Sequence, residues 1–130
     1  MITGQCHCGK TSFRIDGVLP RTVTRCTCSI CSKRGALYAY YSPEQFSVTT
    51  QSDQIYRWSS QLVSSHFCAE CGCATYSESP AFAPDGSWDA KRRVIAVNAR
   101  LFDDFDADQA AVTIVDGKSR TLQGVLDFES

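Results

Sequence analysis

Thr11-Ser12-Phe13-Arg14-Ile15 places its apolar residues at every second position and stops at Asp16-Gly17. That is the pattern of a strand buried on one face and closed by a turn pair. Runs of strand length rich in aromatic and β-branched residues recur at Leu37–Tyr41, Phe46–Thr50, Ile55–Trp58 and Val63–Phe67. Ala74–Tyr76, Val94–Ala99 and Val112–Val115 continue the series, the last ending at Asp116-Gly117. Between two of the runs, Ser42-Pro43-Glu44-Gln45 combines an N-cap serine, proline at the first helical position and a capping-box glutamine, which predicts one helical turn. Asp103–Ala111, acidic at its start, predicts a short helix. Pro80–Lys91 has two prolines, a glycine and little periodicity and reads as a long loop. Its aromatics, Phe82 and Trp88, either cover a site or, the favoured reading, pack on the sheet. The chain is expected to be mainly β.

Length and charge bound the rest. The 130 residues suit one domain, 1–130, and 43% hydrophobic content is enough to build a core unaided. No segment approaches the roughly 20 apolar residues of a membrane span. Thirteen basic and fourteen acidic side chains leave a formal charge of −1. Seven thiolates holding two divalent ions would take it to about −4, and no basic stripe offsets that, so nucleic acid is not an expected partner.

Eight cysteines fall in three tight groups: Cys6-His7-Cys8, Cys26-Thr27-Cys28-Ser29-Ile30-Cys31, and Cys68-Ala69-Glu70-Cys71-Gly72-Cys73. Thiols one or two residues apart converge on a point, as a tetrahedral metal with Zn–S bonds of about 2.3 Å requires. A disulfide framework is the rival reading. The N-terminal residues Met1–Cys6 contain no basic region followed by an apolar run, so a cytoplasmic location with reduced thiols is expected. If the backbone is extended, Cys6 and Cys8 share a face and His7 turns away. Cys68-x-x-Cys71-Gly72 reads as a zinc knuckle, its glycine supplying left-handed backbone. The two half-sites together form a closed four-sulfur site that braces the fold. Cys26, Cys28 and Cys31 supply three ligands to a second ion and leave a position open, the mark of a zinc that binds water or substrate. Cys73 either closes that second site or is a small buried hydrophobe.

Gln5-Cys-His-Cys-Gly9 ahead of the Phe13–Ile15 strand, Cys26-x-Cys28-x-x-Cys31, Phe67-Cys-x-x-Cys-Gly72, and Val97-Asn-Ala-Arg-Leu101 followed by Asp103-Asp104 carry a family resemblance. Over roughly residues 2 to 104 the chain resembles the glutathione-dependent formaldehyde-activating enzymes, a family that includes the centromere protein V group. Beyond Asp104 little more than the Asp116-Gly117-Lys118 turn matches. The resemblance implies a β-tent of short antiparallel sheets around zinc, and carbon–sulfur lyase chemistry joining formaldehyde to glutathione. It assigns Cys6, Cys8, Cys68 and Cys71 to a structural zinc and Cys26, Cys28 and Cys31 to a catalytic one.

That chemistry is a thiolate attacking an aldehyde carbon to form a hemithioacetal. A free thiol is mostly protonated at neutral pH, and zinc coordination deprotonates it. Three cysteinates make the second zinc a weak Lewis acid, so delivery and positioning of thiolate are expected rather than strong carbonyl polarisation. Lys33 and Arg34, directly after the second group, are candidates to bind a glutathione carboxylate, Arg34 in bidentate fashion. His66 is either a proton shuttle or a supporting donor. Two other function classes stay open: a zinc-braced binding module without activity, and a thiol or metal sensor that releases zinc on oxidation.

Overall fold

The computed structural model describes residues 1–57, 61–82 and 87–117. Among them, ten strands form two sheets, and the mainly β expectation is met. A small antiparallel sheet has the order β1-β2-β5, built from Ile2–Gln5, Thr11–Ile15 and Phe46–Thr50. A seven-stranded sheet has the order β10-β3-β4-β9-β8-β7-β6. Its strands are β3 (Thr22–Cys26), β4 (Tyr38–Tyr41), β6 (Asp53–Tyr56), β7 (Ser64–Cys68), β8 (Ala74–Phe82), β9 (Trp88–Asn98) and β10 (Ala111–Val115). All its pairings are antiparallel except β10 with β3, which runs parallel.

Period two does its expected work in β2, where Phe13 and Ile15 are buried and Arg14 is exposed. Those residues, with Ile2, meet Leu37, Ala39, Tyr76, Ile95 and Val97 of the large sheet in one core cluster. Phe46 carries the contact across, its ring 5.9 Å from Phe13 and 4.8 Å from Tyr76. Each fully buried side chain of this size contributes about 2 kcal/mol. Gly4 in β1 lies so close to its neighbours that a Cβ there would stand 2.4 Å from the Phe13 ring and 2.5 Å from the Leu101 carbonyl oxygen.

Several elements differ from the sequence reading. The run expected at Ile55–Trp58 pairs as Asp53–Tyr56, and Trp58 lies outside the described residues. The loop expected over Pro80–Lys91 is largely hairpin: β8 runs on to Phe82 and β9 begins at Trp88, with residues 83–86 outside the described set. Phe82 and Trp88 face each other across it, edge to face at 6.5 Å. Pro80 is accommodated in the strand because it sits at a register shift in the ladder. The helix expected over Asp103–Ala111 shrinks to a 3-10 turn at Ala107–Gln109. There the Asp106 carboxylate accepts the Asp108 amide at 3.0 Å, the local bond by which aspartate diverts backbone from helix. The turn expected at Ser42–Gln45 is present at Pro43–Gln45 with its capping box. A short α-helix, α1 (Ser29–Arg34), which the sequence reading did not include, carries the end of the second cysteine group.

Candidate functional site

Two hairpin turns, one from each sheet, meet at the first sulfur group. Between β1 and β2 the chain turns through Cys6 and Cys8, with Gly9 at a φ of 82° and its amide bonded to the Cys6 carbonyl at 3.1 Å. Between β7 and β8 it turns through Cys71, with Gly72 at a φ of 81° and its amide bonded to the Cys68 carbonyl at 2.8 Å. Left-handed backbone at both glycines is what lets each chain double back with two sulfurs on its inner side. The sulfurs of Cys6, Cys8, Cys68 and Cys71 all lie within 4.8 Å of one another. Cys6 and Cys8 are 3.6 Å apart, as are Cys8 and Cys68. A tetrahedron of sulfurs about 2.3 Å from a central zinc has edges of about 3.8 Å, so the donor set fits such an ion. Cys6–Cys8 converge through this turn and not through an extended strand, so the alternation expected to orient them does not apply. His7 is not among the converging ligands; its backbone N–H serves the Cys73 sulfur instead.

The second group is assembled within one strand–turn–helix segment. Cys26 ends β3, Cys28 is the N-cap of α1, and Cys31 lies in its first turn. Ser32 N–H bonds the Cys28 carbonyl at 2.9 Å, and Gly35, at a φ of 70°, ends the helix with its amide on the Cys31 carbonyl at 3.0 Å. The sulfurs of Cys26, Cys28 and Cys31 also lie within 4.8 Å of one another, and no fourth side chain joins them among the described residues. All eight cysteines are unbridged.

Backbone amides aim at the sulfurs of both groups. Thr11 N–H reaches Cys6 Sγ at 3.4 Å, and the Lys10 amide serves Cys8. Burial alone would raise Cys71, but the N–H groups of Cys73 and Cys8 outweigh it and hold the thiol down at about 5. Hydrogen bonds from Cys28 and Cys31 hold Cys26 down at about 3, with the amides of Cys28 and Gly117 assisting. By the same sharing, Cys26 pushes Cys28 up to about 11, and Cys26 and Cys28 together push Cys31 upward. The trio therefore concentrates negative charge on Cys26, and the quartet on Cys6 and Cys71, with neighbouring thiols donating their protons to those sulfurs. A divalent cation is the natural substitute for those protons, and its binding would release them.

The other candidates are distributed around this frame. Cys73 stands beside the four-sulfur group, its thiol bonded to Cys71, and does not close the trio. Lys33 is exposed, and Arg34 holds its guanidinium 5.6 Å above the Phe67 ring of β7. His66 is buried, bonded through Nδ1 to Asp53 at 3.0 Å and stacked on Tyr76 at 4.1 Å. Those contacts tie β6 and β7 to the core; His66 belongs to neither sulfur group. Sequence reasoning passed over two neighbours of the trio. Tyr38, one position from core-facing Ala39, points to the other face of the sheet and is still only 6% exposed; it is hydrogen-bonded with Ser77 and lies within electrostatic reach of Cys31 and Arg34. Burial pushes its phenol up, so it stays a neutral hydroxyl. Gly117 is packed against Cys26 and Cys28. Nothing in a run of strand-forming aromatics distinguishes Tyr38, and the Asp116-Gly117 pair signalled only a turn.

Among the described residues, no helix is long and apolar enough to cross a membrane. The fold is similar to that of a Rhodobacter sphaeroides protein solved as a structural-genomics target, with a TM-score of 0.67 at 20% identity over 85% of this chain and 99% of that one. A family model described as glutathione-dependent formaldehyde-activating enzyme matches residues 1–116, a span that takes in all eight cysteines. With both sulfur groups inside that match, the chain belongs to the glutathione-dependent formaldehyde-activating enzyme family.

Proposed function

We propose that this protein is a zinc-dependent carbon–sulfur lyase acting on the adduct of glutathione, or a similar thiol, with an aldehyde. Cys6, Cys8, Cys68 and Cys71 hold a structural ion, and Cys26, Cys28 and Cys31 hold the ion at the reacting site. The observation that carries this reading is the trio itself: three converging sulfurs without a fourth side chain among the described residues, while the eighth thiol is drawn to the other group. Cys26, Cys28 and Cys31 would hold a zinc ion whose charge would keep an incoming thiol deprotonated at neutral pH, three cysteinates leaving it a weak Lewis acid.

In the joining direction a sulfur lone pair forms the S–C bond, the carbonyl π pair moves to oxygen, and that oxygen takes up the proton the thiol gave up. Lyase action is the reverse. Tyr38, a neutral hydroxyl within electrostatic reach of Cys31, is the donor we assign to the developing alkoxide. Arg34, with its guanidinium plane set against Phe67, and the exposed Lys33 offer positive charge to the glutathione carboxylates. Positioning of two reactants supplies most of the acceleration. A reducing compartment, the cytoplasm, suits eight unbridged thiols.

The test is calorimetric titration of the zinc-loaded protein with glutathione, alone and with formaldehyde. Binding at millimolar thiol or tighter is expected. No heat at that concentration would overturn the lyase reading in favour of a zinc-braced binding module.

A further inference from the structure

The three sulfurs of the trio are close in sequence, yet one side of the group is built by a distant part of the chain. β10 runs parallel to β3 in a register that sets Val115 opposite Cys26. Just past that pair, the Val115 carbonyl accepts the Thr27 amide at 3.0 Å, and the Asp116 carboxylate accepts the Thr27 hydroxyl at 3.1 Å. These contacts bring Gly117 onto the sulfurs. It is buried, and a Cβ built there would stand 2.5 Å from Cys26 Sγ, 3.0 Å from Cys28 Cβ and 3.3 Å from the Cys28 amide nitrogen. A separation of 2.5 Å from sulfur is far inside van der Waals contact, and the atom that would have to move is the Cys26 sulfur that the site must hold in place, with the Cys28 Cβ and amide nitrogen at the start of α1 already tight behind it. The Gly117 N–H points at Cys26 and donates to its sulfur. Gly117 also stands one residue beyond the span that the family model matches.

We infer that Gly117 is a positioning residue of the second thiol centre: its amide fixes the Cys26 sulfur, and its missing side chain leaves room for that sulfur to join Cys28 and Cys31. The inference rests on the reading of the trio as a metal site. It makes metal affinity there depend on the docking of β10 against β3, although β10 contributes no ligand. Donors to a metal-bound sulfur of this kind typically alter affinity by about 10- to 100-fold when removed.

The experiment compares Gly117→Ala with the wild-type full chain, each loaded with cobalt(II) and then with zinc, following thiolate-to-cobalt absorption and metal content. The expected result is retention of the four-sulfur spectrum with at least a tenfold loss of affinity for the second ion. Second-ion affinity within twofold of wild type would overturn the inference. Should Gly117→Ala fail to fold, the wild-type protein loaded with NMR-active cadmium still decides the matter. A coupling across the N–H···S bond between the Gly117 amide proton and the second cadmium is expected, and its absence would overturn the assignment. Glutathione binding is read separately. A wild-type trio that takes an ion but no thiol would sink the proposed function and leave the role of Gly117 intact.

Discussion

The two sulfur groups use the same element of chemistry in opposite structural ways. The quartet draws one pair from the β1–β2 turn of the small sheet and one from the β7–β8 turn of the large sheet, Cys8 and Cys68 being 60 residues apart and 3.6 Å distant. The trio spans six residues of one strand–turn–helix segment, Cys26 to Cys31. An ion bound to the quartet closes a long loop and ties two sheets together. An ion bound to the trio closes almost no loop, so little of its binding energy can reach the global fold. The lesson is that sulfur count and the sequence span over which the sulfurs are gathered point the same way: four from two distant turns suit a brace, three from one segment suit an open site.

The sharpest way to break the comparison is to delete one ligand from each group. Cys71→Ser removes a corner of the quartet and is expected to forfeit most of a structural ion's contribution, on the order of 10 kcal/mol, which is as large as the net stability of a typical domain. The purified chain should show no cooperative thermal transition by circular dichroism. Cys28→Ser removes a corner of the trio and is expected to leave a folded protein with one zinc per chain and no measurable glutathione binding. If both variants unfold to the same extent, the division into brace and reactive site is wrong.

Chelation sharpens the same contrast without mutation. Burial does not separate the groups, since Cys8 of the quartet is exposed and Cys28 of the trio is buried, but the quartet offers an ion four sulfurs and the trio three. Titration with a strong chelator should therefore release zinc in two phases, the first completed while the near-ultraviolet circular dichroism is unchanged. Two ions lost together with the tertiary signal would mean that the trio is as structural as the quartet.

How much of this was legible beforehand follows from what each feature rests on. Both sulfur groups could be read from spacing because thiols one or two residues apart in Cys-x-Cys and Cys-x-x-Cys are brought together by local backbone geometry. Strands such as Thr11–Ile15 and Phe46–Thr50 could be read because one-sided burial writes a period of two. α1 was hidden, since six residues are too few to display a helical period. β3, Thr-Val-Thr-Arg-Cys, has one fully buried residue and so little alternation to read. The reason Cys6 and Cys8 converge was misjudged because a turn and a strand place the same two sulfurs alike. Tyr38 and Gly117 become informative only once β4 and β10 are laid beside β3, a tertiary fact that local pattern does not contain.

A smaller effect is expected from the steric side of the brace. Gly4→Ala would press a methyl group against the Phe13 ring and the Leu101 carbonyl, next to the turn that carries Cys6. Overpacking of this kind costs about 1–3 kcal/mol. Denaturant midpoints should fall accordingly, while zinc content stays at two per chain and glutathione affinity is unchanged. A selective loss of thiol binding in Gly4→Ala would show that the two centres are coupled through the core.

The finest distinction concerns Arg34, which lies at the end of the trio's helix and belongs to substrate recognition in the proposed scheme. Its guanidinium rests 5.6 Å above Phe67, a contact that orients a planar fork and that an ammonium would satisfy only as a point charge. Arg34→Lys keeps the charge and loses the bidentate geometry, so glutathione binding should weaken by about 3- to 10-fold, or roughly 0.7–1.4 kcal/mol. A thiol without carboxylates, such as 2-mercaptoethanol, should bind both proteins equally, because it never uses the fork. Lys33→Ala, on the exposed side of the same turn, should shift glutathione affinity by less than about twofold. Were Arg34→Lys to weaken both thiols alike, Arg34 would be holding α1 against β7 and not reading a carboxylate, and the recognition of glutathione would have to lie elsewhere on the rim of the trio.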